Sequence, residues 1–198
     1  MLRVLLLGSL LLLAGCATVP PVDEADRDPQ RMSLWQSHQD QLKNVREWRI
    51  EGRAAILAQG SGGQIAFDWS HGHDQQALSI KTPLGQNALQ MTRNAQGVVL
   101  IDQDGMRHEG ADGESLLRDA LGWSVPVDAM PAWLIGLPAS SQDNYSLDEQ
   151  GRLKRLHSQG WRIDYQRYTT INGIALPGRL DLMHMDLNLR VIIDRWRL

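Results

Sequence analysis

Trp48-Arg49-Ile50-Glu51-Gly52-Arg53-Ala54-Ala55-Ile56, followed after Gly60-Ser61-Gly62-Gly63 by Gln64-Ile65-Ala66-Phe67-Asp68-Trp69, decides the fold class. Trp48, Ile50, Gly52, Ala54 and Ile56 alternate with Arg49, Glu51 and Arg53, and Ile65, Phe67 and Trp69 alternate with Gln64, Ala66 and Asp68. A period of two puts every second side chain on one face of a strand, so two such runs joined by a glycine-rich turn form a hairpin with one apolar face. The alternation continues through Leu78 and Ile80, Leu89 and Met91, Val98 to Ile101 and Met106 to Glu109, with Asn94, Gly97, Asp104 and Gly105 between them. It resumes at Tyr145 and Leu147, Leu153 to His157, Trp161-Ile163-Tyr165, Leu180-Leu182 and Leu187 to Ile193. Sequential short strands joined by tight turns predict an antiparallel meander.

Two stretches break the period. Asp112-Gly113-Glu114 opens a segment with Leu116, Leu117 and Leu121, and Pro126 to Gly136 holds Met130, Trp133 and Leu134, which reads as two short helices. Upstream, Trp35, His38, Leu42 and Val45 recur at helical spacing, predicting an amphipathic helix from Ser33, its cap, to Val45. The expected fold is mainly β (α+β): one strongly curved antiparallel sheet with helices against its concave face. The bulky inward candidates are Trp48, Phe67, Trp69, Met91, Trp133, Trp161, Met183 and Met185. Such a sheet either packs solid or keeps a cavity, and the pattern leaves both open.

The N-terminus carries a different signal. Arg3, an apolar run from Val4 to Leu13, then Ala14-Gly15-Cys16 form a secretory leader over residues 1–15 that ends in a lipobox. The run is too short for the roughly 20 residues of a membrane span. Cys16 is the expected site of lipid attachment, and Ala17, where an aspartate would mark inner-membrane retention, points to the periplasmic face of the outer membrane. From Ala17 to Arg31 the chain has Pro20, Pro21 and Pro29, several acids and almost no large apolar residue, and reads as a tether over residues 16–31. About fifteen residues at ~3.5 Å each reach ~50 Å. Residues 32–198 are then a single domain.

Composition excludes several functions. Net charge is −3 without a Lys/Arg block, which argues against nucleic acid or an anionic lipid surface as the main partner. With Cys16 the single cysteine, no intramolecular disulfide is expected, and a thiol committed to lipid leaves none for catalysis. His71-Gly72-His73-Asp74 is the nearest approach to a metal cluster, but it lacks a third partner and reads as a solvated turn. There is no G-x-S-x-G elbow, phosphate-cradling loop or zinc-protease helix, so neither an enzyme, a cofactor nor a metal is expected. Thr82-Pro83-Leu84-Gly85 places a leucine at the tip of a tight reversal, either folded back onto the core or exposed.

Several segments together resemble one family, the outer-membrane lipoprotein receptor LolB. They are the lipobox, Trp35 to His38, Gly52-Arg53, Phe67-Asp68-Trp69, Thr82-Pro83-Leu84-Gly85, Trp133 to Pro138, Trp161 to Tyr165, Leu176-Pro177 and Trp196. The resemblance implies an incomplete antiparallel barrel whose helices cover a hydrophobic cavity. It also implies a monomeric receptor that takes triacylated lipoproteins from the periplasmic carrier LolA and inserts them into outer-membrane lipid. Within it, Leu84 is the expected membrane-delivery tip. The expected acyl lining is Trp48, Ile65, Phe67, Trp69, Leu78, Ile80, Leu89, Met91, Trp133, Ile163, Tyr165 and Leu182. The alternative is a structural outer-membrane lipoprotein with a solid core that scaffolds an assembly or the cell wall.

Overall fold

The structure is a computed structural model that describes residues 28–58, 61–185 and 187–198. The leader at 1–15, Cys16 and the tether up to residue 27 lie outside the described residues.

Helix α1 runs Pro29–Lys43 and is capped by Asp28, whose carboxylate accepts from the Gln30 amide. It begins at Pro29 rather than at Ser33, so residues 29–31, read as the end of the tether, form its first turn. Proline at the first helical position has its φ already set, and that Asp-Pro start outcompetes the serine. Trp35, His38 and Leu42 are the buried face, as their spacing predicts.

Eleven strands follow. They are β1 Trp48–Ala58, β2 Ser61–His71, β3 Gln75–Lys81, β4 Asn87–Asn94, β5 Gly97–Asp102 and β6 Arg107–Gly110, then β7 Asn144–Leu147, β8 Leu153–Ser158, β9 Trp161–Ile171, β10 Ile174–His184 and β11 Leu187–Arg197. Between β6 and β7 lie the helices α2 Gly113–Leu121 and α3 Met130–Ile135. The strands form one antiparallel sheet in the order β6-β5-β4-β3-β2-β1-β11-β10-β9-β8-β7. Every ladder joins strands consecutive along the chain except at the centre, where β1 meets β11 with Ala54 opposite Val191.

The strongly curved, incomplete barrel is not what forms. The sheet is open, with β6 at one end of the order, β7 at the other and no ladder between them among the described residues. Alternation reports that one face of a strand is covered, and it carries no information on how far the sheet bends. Here the cover is the segment 111–143, a helical strap that must pass over that face because it joins the two edge strands.

The opposite face explains the charged half of the alternation. Arg49 pairs with Asp68, Arg53 with Asp194, Arg155 with Asp164, and Arg195 with Glu51 across neighbouring strands. Exposed pairs of this kind contribute about 0–1 kcal/mol each. Met183 follows the inward Leu182 by one residue and so faces away from the strap, where its sulfur meets Arg162. Met185 lies in the β10–β11 turn and is exposed. Neither belongs to the core that their size suggests.

Candidate apolar cavity beneath the strap

On the strap-covered face, register brings Ala54 of β1 opposite Ile65 of β2 and Val191 of β11. Trp69 and Phe67 stand beside Leu78 and Ile80 of β3. Alanine is short among bulky neighbours, so the floor is low at Ala54. The cavity left there is narrow, about 70 Å³, with Ile56, Leu189 and those residues as floor. Its roof is Leu117, Leu121, Trp123, Val125, Val127, Met130 and Leu134 of the strap. The lining has no polar surface, and little of the space is wide enough for water. An incoming chain must part the lining to enter.

The roof is fixed unevenly. At the α3 end, the Tyr165 hydroxyl donates to the Trp133 carbonyl at 3.0 Å. Gly136 ends α3 at φ +90°, and a Cβ there would stand 3.5 Å from the Pro177 ring. At the other end, Asp112 caps α2, Ser124 bonds Glu114, and Arg93 of β4 pairs with Asp128. Leu121 and Trp123, between these attachments, are only partly buried.

Five of the twelve residues expected to line an acyl site lie on this cavity: Ile65, Phe67, Trp69, Leu78 and Ile80. The other seven are buried elsewhere. Trp48 packs against Trp69, His71 and Trp196. Leu89 and Met91 continue the inner face on β4, with Met91 sulfur beneath Gly113 at the start of α2. Trp133 points to Trp161, and Ile163, Tyr165 and Leu182 lie on β9 and β10. A period of two identifies the inner face but not which part of it is roofed. The residues it missed are mainly those of the strap and of β11. Leu187 to Ile193 reads plainly as a strand, yet its place beside β1 depends on an order that local pattern does not encode.

Leu84 is 88% exposed at the tip of the β3–β4 turn. The Gly85 amide donates to the Thr82 carbonyl at 2.9 Å with Gly85 at φ +82°, so the turn closes on its own backbone and leaves the leucine in solvent. At the β2–β3 turn, on the other end of the sheet, His71 stacks on Trp48 while His73 meets Asp74, and no group of three or more His, Cys, Asp and Glu among the described residues could hold a metal ion.

Two histidines are held below their ordinary value. Burial of His38 is the main cause, partly opposed by its bond to the Ala175 carbonyl at 2.8 Å. A carbonyl only accepts, so Nε2 carries the proton, and buried Nδ1 has no partner. His71 is lowered chiefly by burial as well. Burial also drives the Tyr165 phenol upward, keeping it a neutral donor to α3.

The family model "Outer membrane lipoprotein LolB" matches residues 46–196. An outer-membrane lipoprotein LolB of Nitrosococcus oceani is 38% identical over 197 residues, covering 98% of this chain and 96% of its own. One from Pseudomonas putida is 35% identical over 189 residues, covering 94% and 91%. Among solved structures, a DUF1329 family protein from Desulfovibrio piger superposes with a TM-score of 0.51 at 8% identity, covering 85% of this chain and 91% of its own. That likeness is one of fold alone.

Proposed function

Since the chain belongs to the LolB family of outer-membrane lipoproteins, we propose that it accepts acylated lipoproteins from the periplasmic carrier LolA in the cavity beneath the strap and inserts them into the outer membrane. Members of this family are held by lipid at the periplasmic face of the outer membrane, handle lipoproteins there and are not enzymes. The finer reading includes a lipid on Cys16, a tether leading to Asp28 and delivery through Leu84.

The observation that carries it is the wholly apolar cavity. A sixteen-carbon chain in water costs on the order of 12 kcal/mol at the usual increment per methylene, so acyl chains need a covered route. Passage from one apolar cavity to another avoids that cost. A receiver favoured by only ~1.4 kcal/mol takes the cargo with tenfold bias, so the step needs no nucleotide. Acyl chains offer no hydrogen bonds, and a lining without polar surface suits them. The α3 anchorage and the lighter cover at Leu121 and Trp123 favour entry by displacement of the α2 end.

The test is transfer of a radiolabelled triacyl lipoprotein from its purified carrier to vesicles bearing the full-length lipidated chain. Movement of the label only when the chain is present is expected. Label that stays on the carrier would sink the reading and return the solid-core scaffold, which binds no apolar fluorescent probe saturably.

A further inference from the structure

The two ends of the sheet differ in their turns. One end carries Gly72-His73-Asp74, Ala95-Gln96 and Asn172-Gly173, all small or polar. At the other lie the end of β1 and the β3–β4, β5–β6 and β10–β11 turns. Six large hydrophobic residues are exposed among the described residues, and four of them belong to this second end: Leu57 (48%), Leu84 (88%), Met106 (61%) and Met185 (89%).

Their placement is regular. Successive turns on one end of a meander are two strands apart, which spaces the tips at ~10 Å. The ladders also slope. Asp102, just before the Met106 turn, traces through Leu89, Ile80 and Phe67 to Gly52. Lys81, just before the Leu84 turn, traces through Ala66 to Arg53. His184, just before Met185, traces through Leu187 to Ala58. The tips therefore climb in one direction along a single slanted edge. The next turn on that end, Gln159-Gly160, is polar and closes the series.

The cavity opens on the same edge. Ile56, Leu121 and Trp123 belong both to the cavity and to a shallower groove bounded by Arg118 and Met185. Met185 has φ +47°, a conformation that glycine or asparagine adopts more readily, so turn geometry does not account for a methionine there. Separate tips ~10 Å apart bury themselves in a fluid medium rather than in one rigid protein surface. A lipid-anchored chain always has such a medium within reach.

The geometry points to a membrane-contacting rim: Leu57, Leu84, Met106 and Met185 enter lipid together and set the cavity mouth against the bilayer, a refinement that rests on the delivery reading above. Acyl chains then pass from lining to lipid without crossing water.

The test places a photoreactive benzoylphenylalanine singly at Leu84, Met106, Met185, Gln96 or Gln159 of the full-length lipidated chain, in vesicles of phosphatidylethanolamine and phosphatidylglycerol. Phospholipid adducts are then counted by mass. Adducts at 106 and 185, as at 84, should exceed those at 96 and 159 at least tenfold. Adducts at 106 and 185 no more frequent than at 159 overturn the rim, even if position 84 reacts. Lipoprotein delivery by the unsubstituted chain is measured alongside. Delivery without those adducts removes the rim and leaves the receptor; adducts without delivery remove the receptor reading.

Discussion

The ring of Phe67 lies over the bare Cα of Gly52, so that a Cβ on Gly52 would stand 2.7 Å from ring Cζ and 2.3 Å from the Ile192 carbonyl oxygen. Gly52 sits where the β1–β11 register shifts, and its missing side chain lets Phe67 lie down as part of the cavity floor. Gly52→Ala must push both the ring and the β11 backbone away. A loss of about 1–3 kcal/mol is expected, read as a lower urea midpoint with unchanged m-value. Adding Phe67→Leu should recover only part of it, because the carbonyl contact remains.

Leu84 has almost no protein contact to lose. Leu84→Glu should leave stability within about 0.5 kcal/mol of the parent. Delivery to vesicles should nevertheless stop, because a carboxylate cannot enter the hydrocarbon where a leucine gains roughly 1.5–3 kcal/mol. Normal delivery by this variant would remove Leu84 from the mechanism.

The cavity predicts its own blockade. Ala54→Leu fills the low point of the floor between Ile65 and Val191. Saturable binding of an apolar fluorescent probe should weaken at least tenfold while the circular dichroism spectrum is kept.

How the strap is held gives a further prediction. Tyr165→Phe removes the one hydroxyl that ties β9 to the Trp133 carbonyl, which still accepts from the Gly136 amide. The expected cost is about 1 kcal/mol, with faster amide exchange in α3 than in β9.

His38 and His71 set a pH dependence. Both are held below the ordinary histidine value of 6.5, so the unfolded chain takes up protons first as pH falls. Their contribution to stability is present above about 6.5 and is lost progressively below it. Urea midpoints at pH 7.5 and pH 5 should differ in that direction, and His38→Gln should reduce the difference.

The strands were legible in the sequence because each inner residue is flanked by outer charges that find partners, as Arg49 and Arg53 do in Asp68 and Asp194. Leu84 was legible as a tip because Pro83 and Gly85 fix the reversal. The sheet's openness was not, since bending depends on which strands become edges and what covers the face. The roof from Leu117 to Leu134 was legible only as two short helices. Where it lies follows from β6 and β7 being opposite edges, a fact spread over the whole chain.

The pairing of β1 with β11 bears on how the molecule is made. Arg53 and Asp194 meet across 141 residues, whereas every other ladder joins neighbours along the chain. Contacts that distant close slowly. A chain arriving N-terminus first can complete β1 to β6 early, but one side of β1 stays without a ladder partner until the last strand is delivered. The sheet is therefore joined only once β11 is available, and a chain cut short before Leu187 would carry an open strand edge through the middle of its sheet, a template for aggregation.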